Sequence, residues 1–271
     1  MSTQNKRVQD QLAKQPKVFW RNALVIGISA IIILFSLDYI NYKGITDTGI
    51  EIAFNIIKSV FTPNLPFLLD FTTKTGVPYL LLETAAIAFL GTIIGTIISI
   101  PLAFLSSRNI VPSWFTHIGV AAITVVRTFP AVVYGLMFIR VTGPGAFTGV
   151  LTLAVASVGM VSKLFIETIE ELDPGIIEAL DASGCNGIQK VRYGIIPQLM
   201  SNFLSTAIYR FEINVKYATI LGMVGAGGIG APLIFAINAY RWKDAGALLV
   251  GLIIFVLIVE AISTYLRKKL A

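Results

Sequence analysis

Between Glu83 and Arg108 the chain carries no charged residue, and between Arg21 and Asp38 it again carries none. A helix rises 1.5 Å per residue, so about 20 apolar residues cross roughly 30 Å of hydrocarbon. Only 13% of residues are charged and 55% are hydrophobic, whereas in soluble domains about a quarter are charged. The chain is therefore read as a polytopic, all-α integral membrane protein; a membrane β-barrel would show short alternating segments instead. Its first residues, MSTQNKRVQDQLAKQPK, are too polar for a signal peptide's apolar core, and no small-residue cleavage site follows the first apolar run, which is expected to stay as an anchor.

Six transmembrane helices are expected, at about 20–40, 77–105, 115–139, 146–169, 197–223 and 244–266. Before the second, Ile52, Ile56, Val60 and Phe61 recur at helical spacing ahead of Pro63 and Pro66, which predicts a short helix lying in the interface. Gly91 and Gly95 give the second span a GxxxG face for close helix contact. Pro130 should kink the third span by removing an interior hydrogen bond. Lys163 and Glu167, four apart, share one face of the fourth.

Charge sets the orientation. With six spans the inside receives Lys6, Arg7, Lys14, Lys17, Arg21, Arg108, Lys190, Arg192, Arg267, Lys268 and Lys269, and the outside only Lys43, Lys58, Lys74, Arg140, Arg241 and Lys243. Counting the uncharged window 217–240 as a seventh span would push the basic C-terminal tail outside, against the positive-inside tendency. Both termini are thus expected in the cytoplasm, with the stretch EALDASGCNGIQKVRYGIIP, residues 178–197, on the same side.

That stretch reads as a helical elbow. Asp173-Pro174 opens a helix, Gly184 can take the left-handed conformation that closes it, and a second arm runs through Ile188, Val191 and Ile195 toward Pro197. Taken alone, this pattern also fits an ordinary amphipathic loop. Glu178-Ala179, Gly184 and Pro197, at their spacing, resemble the EAA motif of ABC importer permeases, the loop that docks into the ATP-hydrolysing subunit. This chain departs from the family pattern with Leu180 in place of the motif's second alanine, Gly194 for an isoleucine and Ile196 for a leucine.

The segments SKLFIETIEELDPGIIEAL, RYGIIPQ, YRFEINVKYATILGMVGAGGIG and VRTFPAVVYGLMF are similar to the membrane subunit of phosphonate ABC transporters, over about residues 77–266. The resemblance implies a type I importer permease fold, MetI-like, in a bacterial cytoplasmic (inner) membrane. It implies a homodimer, two ATPase subunits below it, a substrate-binding protein outside, and phosphonates or related phosphorus oxyanions as cargo. No nucleic-acid partner is implied. Residues 77–266 would form the permease domain, preceded by a tail, first helix and external segment in 1–76 and followed by a basic tail in 267–271.

No catalytic residues are expected, and no cofactor on this chain: it has no GxxxxGK[ST] phosphate loop, so ATP and Mg belong on a partner. Cys185 is the only cysteine and His117 the only histidine, which excludes an intrachain disulfide and a Cys/His metal site; His117 is read as a packing residue. GAGGIG, with Gly225, Gly227, Gly228 and Gly230, satisfies GxGxxG but lacks the preceding strand and following acid of a dinucleotide site. Its glycines are expected to let the chain leave the fifth span and pack closely at the outer face.

Charges within the spans are the remaining signal: Arg127 in the third, and Arg210, Glu212 and Lys216 in the fifth. Each costs roughly 2.5 to 3.5 kcal/mol at a helix centre, so they must face a bundle, a partner or water. Glu212 and Lys216 are spaced to pair; Arg210 shares its face with Asn214 and has no acid four residues away, which makes it the candidate to meet an anion, with Lys216 and Arg127 able to widen the field. The rivals at this level are an ABC permease for another anion or small solute, a membrane enzyme acting on phosphate esters, and a secondary transporter, although the chain shows no convincing internal repeat.

Overall fold

The computed structural model describes residues 19–39 and 46–270. Lys6, Arg7, Lys14, Lys17 and Lys43 of the orientation count lie outside the described residues. Two compact units divide the chain, residues 1–51 and 52–271. In the first, helix α1 spans Phe19–Tyr39. Helix α2, Asp47–Phe61, runs across the boundary and is the helix expected from the Ile52-to-Phe61 periodicity.

The second unit is a helical bundle. A single turn, α3 (Leu65–Leu68), is capped by the Asn64 side chain and leads to α4 (Val77–Ser106). The chain then forms α5 (Ser113–Thr128), α6 (Ala131–Thr142) and α7 (Ala146–Glu170). After an elbow come α10 (Ile196–Met223), α11 (Gly230–Asn238) and α12 (Trp242–Leu270); the elbow's own short helices are α8 (Pro174–Ala182) and α9 (Gly187–Gln189).

The central pair is α4 against α7, and small residues bring it together. A β-carbon at Gly91 would stand 2.6 Å from Cβ of Leu153, and one at Gly95 2.5 Å from Cβ of Ser157. Alanine at either place would force the helices apart, which is the use expected of a GxxxG face. Helix α10 lies across both, and Phe203 packs on Phe165 with ring centroids 4.2 Å apart and the rings tilted by 31°. Around them Ala103, Ile123, Val161, Ile166, Ile169 and Leu199 close one apolar core.

Among the described residues four helices are long and apolar enough to cross a membrane: α1, α4, α7 and α12. Helices α5 and α6 meet that standard only as a pair. Helix α10 has the length, 28 residues, but carries Arg210, Glu212 and Lys216. With nine residues, α11 is far too short to span, so the uncharged 217–240 window divides between the end of α10, a turn and α11.

The third span differs from expectation. It breaks: α5 and α6 meet at 81°. Proline has no N–H, and its ring pushes the preceding residue out of the helical region; Phe129 accordingly sits at φ −88°, ψ 128°, and Pro130 caps α6. The final helix is also longer than expected, and Arg267, Lys268 and Lys269 form its last turn instead of a separate tail, where cations complement the negative helix end.

Candidate functional site

The charges of α10 separate onto two faces. Glu212 is buried and meets Lys216 (Nζ to Oε1, 3.3 Å) and Arg267 (Nη2 to Oε2, 3.2 Å). Lys216 also reaches Glu260 at 3.7 Å. Two acids and two bases thus form a neutral chain between α10 and α12. Glu212 and Lys216 are spent on this network. Sequence spacing showed the Glu212–Lys216 pair, but Glu260 and Arg267 lie roughly fifty residues along the chain and no local periodicity points to them.

Arg210 and Asn214 face the other way, into the α4–α7 seam. Arg210 Nε donates to Ser157 Oγ at 3.0 Å, and Nη1 points at Met160 Sδ at 2.9 Å. Asn214 Nδ2 donates to the same Ser157 oxygen and to Thr92 Oγ1, each at 2.8 Å. Asn214 is fully buried and its Oδ1 has no partner among the described residues. Hydroxyls and an amide of this kind are the polar glue available between helices in a membrane. Thr92, Ser157 and Met160 were not singled out from sequence; small polar residues in mid-span were the signal that could have found them.

A cavity of about 250 Å³ opens at the α5–α6 break, and Arg127, Phe129, Pro130, Met160, Arg210 and Tyr217 are in its wall. Arg127 belongs to the last turn of α5, and its stem crosses α7 at Gly159, where a β-carbon would lie 2.6 Å from Cγ of Arg127. Among the described residues no carboxylate lies within ion-pair distance of Arg127 or Arg210. The guanidinium of Arg210 stands 6.0 Å from the Tyr217 ring. The start of α6, at Pro130 and Ala131, borders the same space and presents the positive end of a helix. The structure therefore brings Arg127 and Arg210 to one cavity, which can hold an anion by fork-shaped hydrogen bonds and charge. It brings neither Glu212 nor Lys216 there.

The elbow forms as its residues dictate. The Asp173 carboxylate accepts from Gly175 N at 2.9 Å, α8 follows, and Gly184 takes φ +74°. Asn186 and Gln189 then cap each other reciprocally at the start of α9. The second arm is not a plain α-helix: Lys190–Ile195 is a π-helical turn that runs without a break into α10, with Pro197 in that helix's first turn, where a missing N–H costs nothing. Lys190 pairs with Asp181 across the elbow. Ile176, Ile177 and Val191 pack inward on the core, while Glu178, Ala179, Ile188 and Tyr193 are exposed. Ile188 and Tyr193 thus leave two large apolar side chains in the open on the elbow's outer face.

At the far end of α10 the glycine turn is tightly fitted. Gly225, Gly227 and Gly228 have φ of +103°, +80° and +74°. A β-carbon at Gly227 would stand 2.7 Å from the Ala146 backbone, and one at Gly228 2.6 Å from Thr84 Oγ1, which itself accepts from Ile229 N at 2.9 Å. Gly230 begins α11 against the α10 backbone. No strand precedes this turn, so it is a packing device and not a phosphate loop.

Residues 95–271 match the family model for the inner membrane component of binding-protein-dependent transport systems. The chain is 37% identical over 190 residues to the phosphite transport system permease protein PtxC of Stutzerimonas stutzeri, covering 69% of each chain. It is 30% identical over 261 residues to the putative phosphite transport system permease protein HtxC of the same organism, covering 96% of this chain and 89% of that one. Among solved structures, an inward-facing MetNI methionine ABC transporter superposes with a TM-score of 0.61 at 22% identity, over 70% of this chain and 94% of that one, which shows a shared fold. With its all-helical bundle and these matches, the chain belongs to the family of inner-membrane permease subunits of binding-protein-dependent ABC transporters, and it is a transport subunit, not an enzyme.

Proposed function

We propose that this chain forms the translocation path of an importer for phosphonate or a related phosphorus oxyanion. The observation that carries the reading is the cavity at the α5–α6 break, which holds Arg127 and Arg210 with no carboxylate among the described residues within ion-pair distance of either. An uncompensated cation within a span is costly unless an anion or water meets it. The names of the relatives, two of them phosphite permeases, support the same class of cargo.

In this reading two copies of the chain assemble as a homodimer with six spans each: α1, α4, the α5–α6 pair, α7, α10 and α12. Both termini lie in the cytoplasm, residues 77–266 are the permease domain, and α2 lies at the outer interface. Two ATPase subunits dock on the elbow through Glu178, Ala179 and the turn at Gly184, with Pro197 fixing the arm that leads into α10. They bind the ATP and Mg, and this chain binds no cofactor. An extracytoplasmic binding protein delivers the anion at the end where Gly225, Gly227, Gly228 and Gly230 close the outer turn.

The test is ATPase stimulation in the reconstituted complex, with ligand delivered by the cognate binding protein. A phosphonate, phosphite or phosphate should stimulate hydrolysis, and a zwitterion such as methionine should not. Stimulation by methionine and by none of the phosphorus oxyanions would contradict the cargo class.

A further inference from the structure

Pro130 has no N–H, so the carbonyl of Val126, four residues earlier, has lost its regular helical donor. A carbonyl at this depth needs another partner. The structure supplies one from beyond the break: Tyr134, in the first turn of α6, donates its hydroxyl to Val126 O at 2.9 Å. Tyr134 is held in turn by its neighbours, edge-on to Phe129 at 5.8 Å and stacked on Phe138 at 6.5 Å. Val126 and Phe129 line the two-arginine cavity, and the residue after Val126 is Arg127.

We infer that Tyr134 is a positioning residue for the anion site: its hydroxyl ties the last turn of α5 to the first turn of α6 across the 81° break and thereby aims Arg127 at the cavity. Arg127 needs such an anchor because none of the ion pairs among the described residues involves it. Arg210, by contrast, is fixed by Ser157 and by burial. One guanidinium is thus held by its own contacts and the other through the backbone of its helix end. The anion would then meet a pair of set spacing. This inference rests on the cavity being the anion site.

The experiment is a double-mutant cycle between Tyr134→Phe and Arg127→Gln, read as transport of a phosphonate per assembled transporter in the reconstituted complex. Tyr134→Phe keeps both ring contacts and removes only the donor, and should lower transport by roughly three- to tenfold, the size of one lost hydrogen bond. Because Tyr134 acts through Arg127, the double variant should transport no worse than Arg127→Gln alone. Losses that multiply would overturn the positioning role, as would full transport by Tyr134→Phe beside an impaired Arg127→Gln. Full transport by Arg127→Gln would remove the site reading itself, and this inference with it. Should Tyr134→Phe assemble in low yield, its transport is read on the assembled fraction alone, and full transport by that fraction would overturn the inference.

Discussion

Leu180 packs directly on Gly194: its Cδ1 methyl leaves no room for a β-carbon on residue 194. Both residues depart from the motif that the elbow otherwise resembles, which has a small residue at the first position and an isoleucine at the second. The two departures compensate. A larger side chain on α8 fills the room left by a missing one on the π-helical turn, so the elbow keeps its packing.

Gly194→Ile should therefore be damaging alone, costing roughly 1–3 kcal/mol by overpacking, and should be tolerated with Leu180→Ala. Thermal stability of the complex and ATPase stimulation, measured on the two single variants and the double, check this. A double variant as impaired as Gly194→Ile alone would contradict the compensation.

Gly184 stands at φ +74° with open space around it, so backbone strain and not collision decides what a side chain does there. Gly184→Trp should leave the protein inserted while weakening ATPase docking: a left-handed non-glycine costs about 1–2 kcal/mol, and the indole would stand on the exposed surface. Glu178→Lys should act similarly by reversing charge on that surface. Copurification of the ATPase with each variant is the measurement; full retention by both would contradict the docking role.

Much of this architecture was legible in the sequence because hydrophobic length and cap chemistry are local. The second span was expected at about 77–105 and α4 runs Val77–Ser106; Asp173 and Gly184 bound the first arm of the elbow as their types require. The break at Pro130 was legible in position but not in size. A proline removes a donor wherever it stands, whereas an 81° turn also needs an acceptor rescued from beyond it, here by Tyr134. The meeting of Arg127 with Arg210 joins helices that only the fold brings together, and the arrest of Glu212 by Arg267 is equally non-local.

Glu212 is the shared acid of Lys216 and Arg267, so Glu212→Gln should leave Lys216 with Glu260 and Arg267 without an acid among the described residues. Hydrogen bonds to charged groups contribute about 1.5–3 kcal/mol each when buried, and the partial exposure of Lys216 and Arg267 holds these two to the lower end or below. The variant should lose thermal stability while transport per assembled transporter stays near wild type. A selective loss of transport at unchanged stability would place Glu212 on the path instead.

Cys185 is partly exposed just past Gly184 and is the chain's only thiol. In cells lacking the ATPase, a membrane-impermeant maleimide should label it from the cytoplasmic side alone. Labelling from outside would invert the orientation of every span.

The most direct test concerns Arg210. It is buried, bound to Ser157 and without an acid among the described residues, and it faces the cavity that Arg127 also lines. The measurement is phosphonate transport per assembled transporter, with the yield of assembled complex determined on the same preparation, for Arg210→Gln and Arg210→Lys. Arg210→Gln should assemble normally and lose transport by at least roughly tenfold, and Arg210→Lys should recover only part of it because lysine lacks the bidentate fork. Full transport per assembled transporter by Arg210→Gln would contradict the anion role, and a fall in yield alone would make Arg210 a structural residue of the α7–α10 contact.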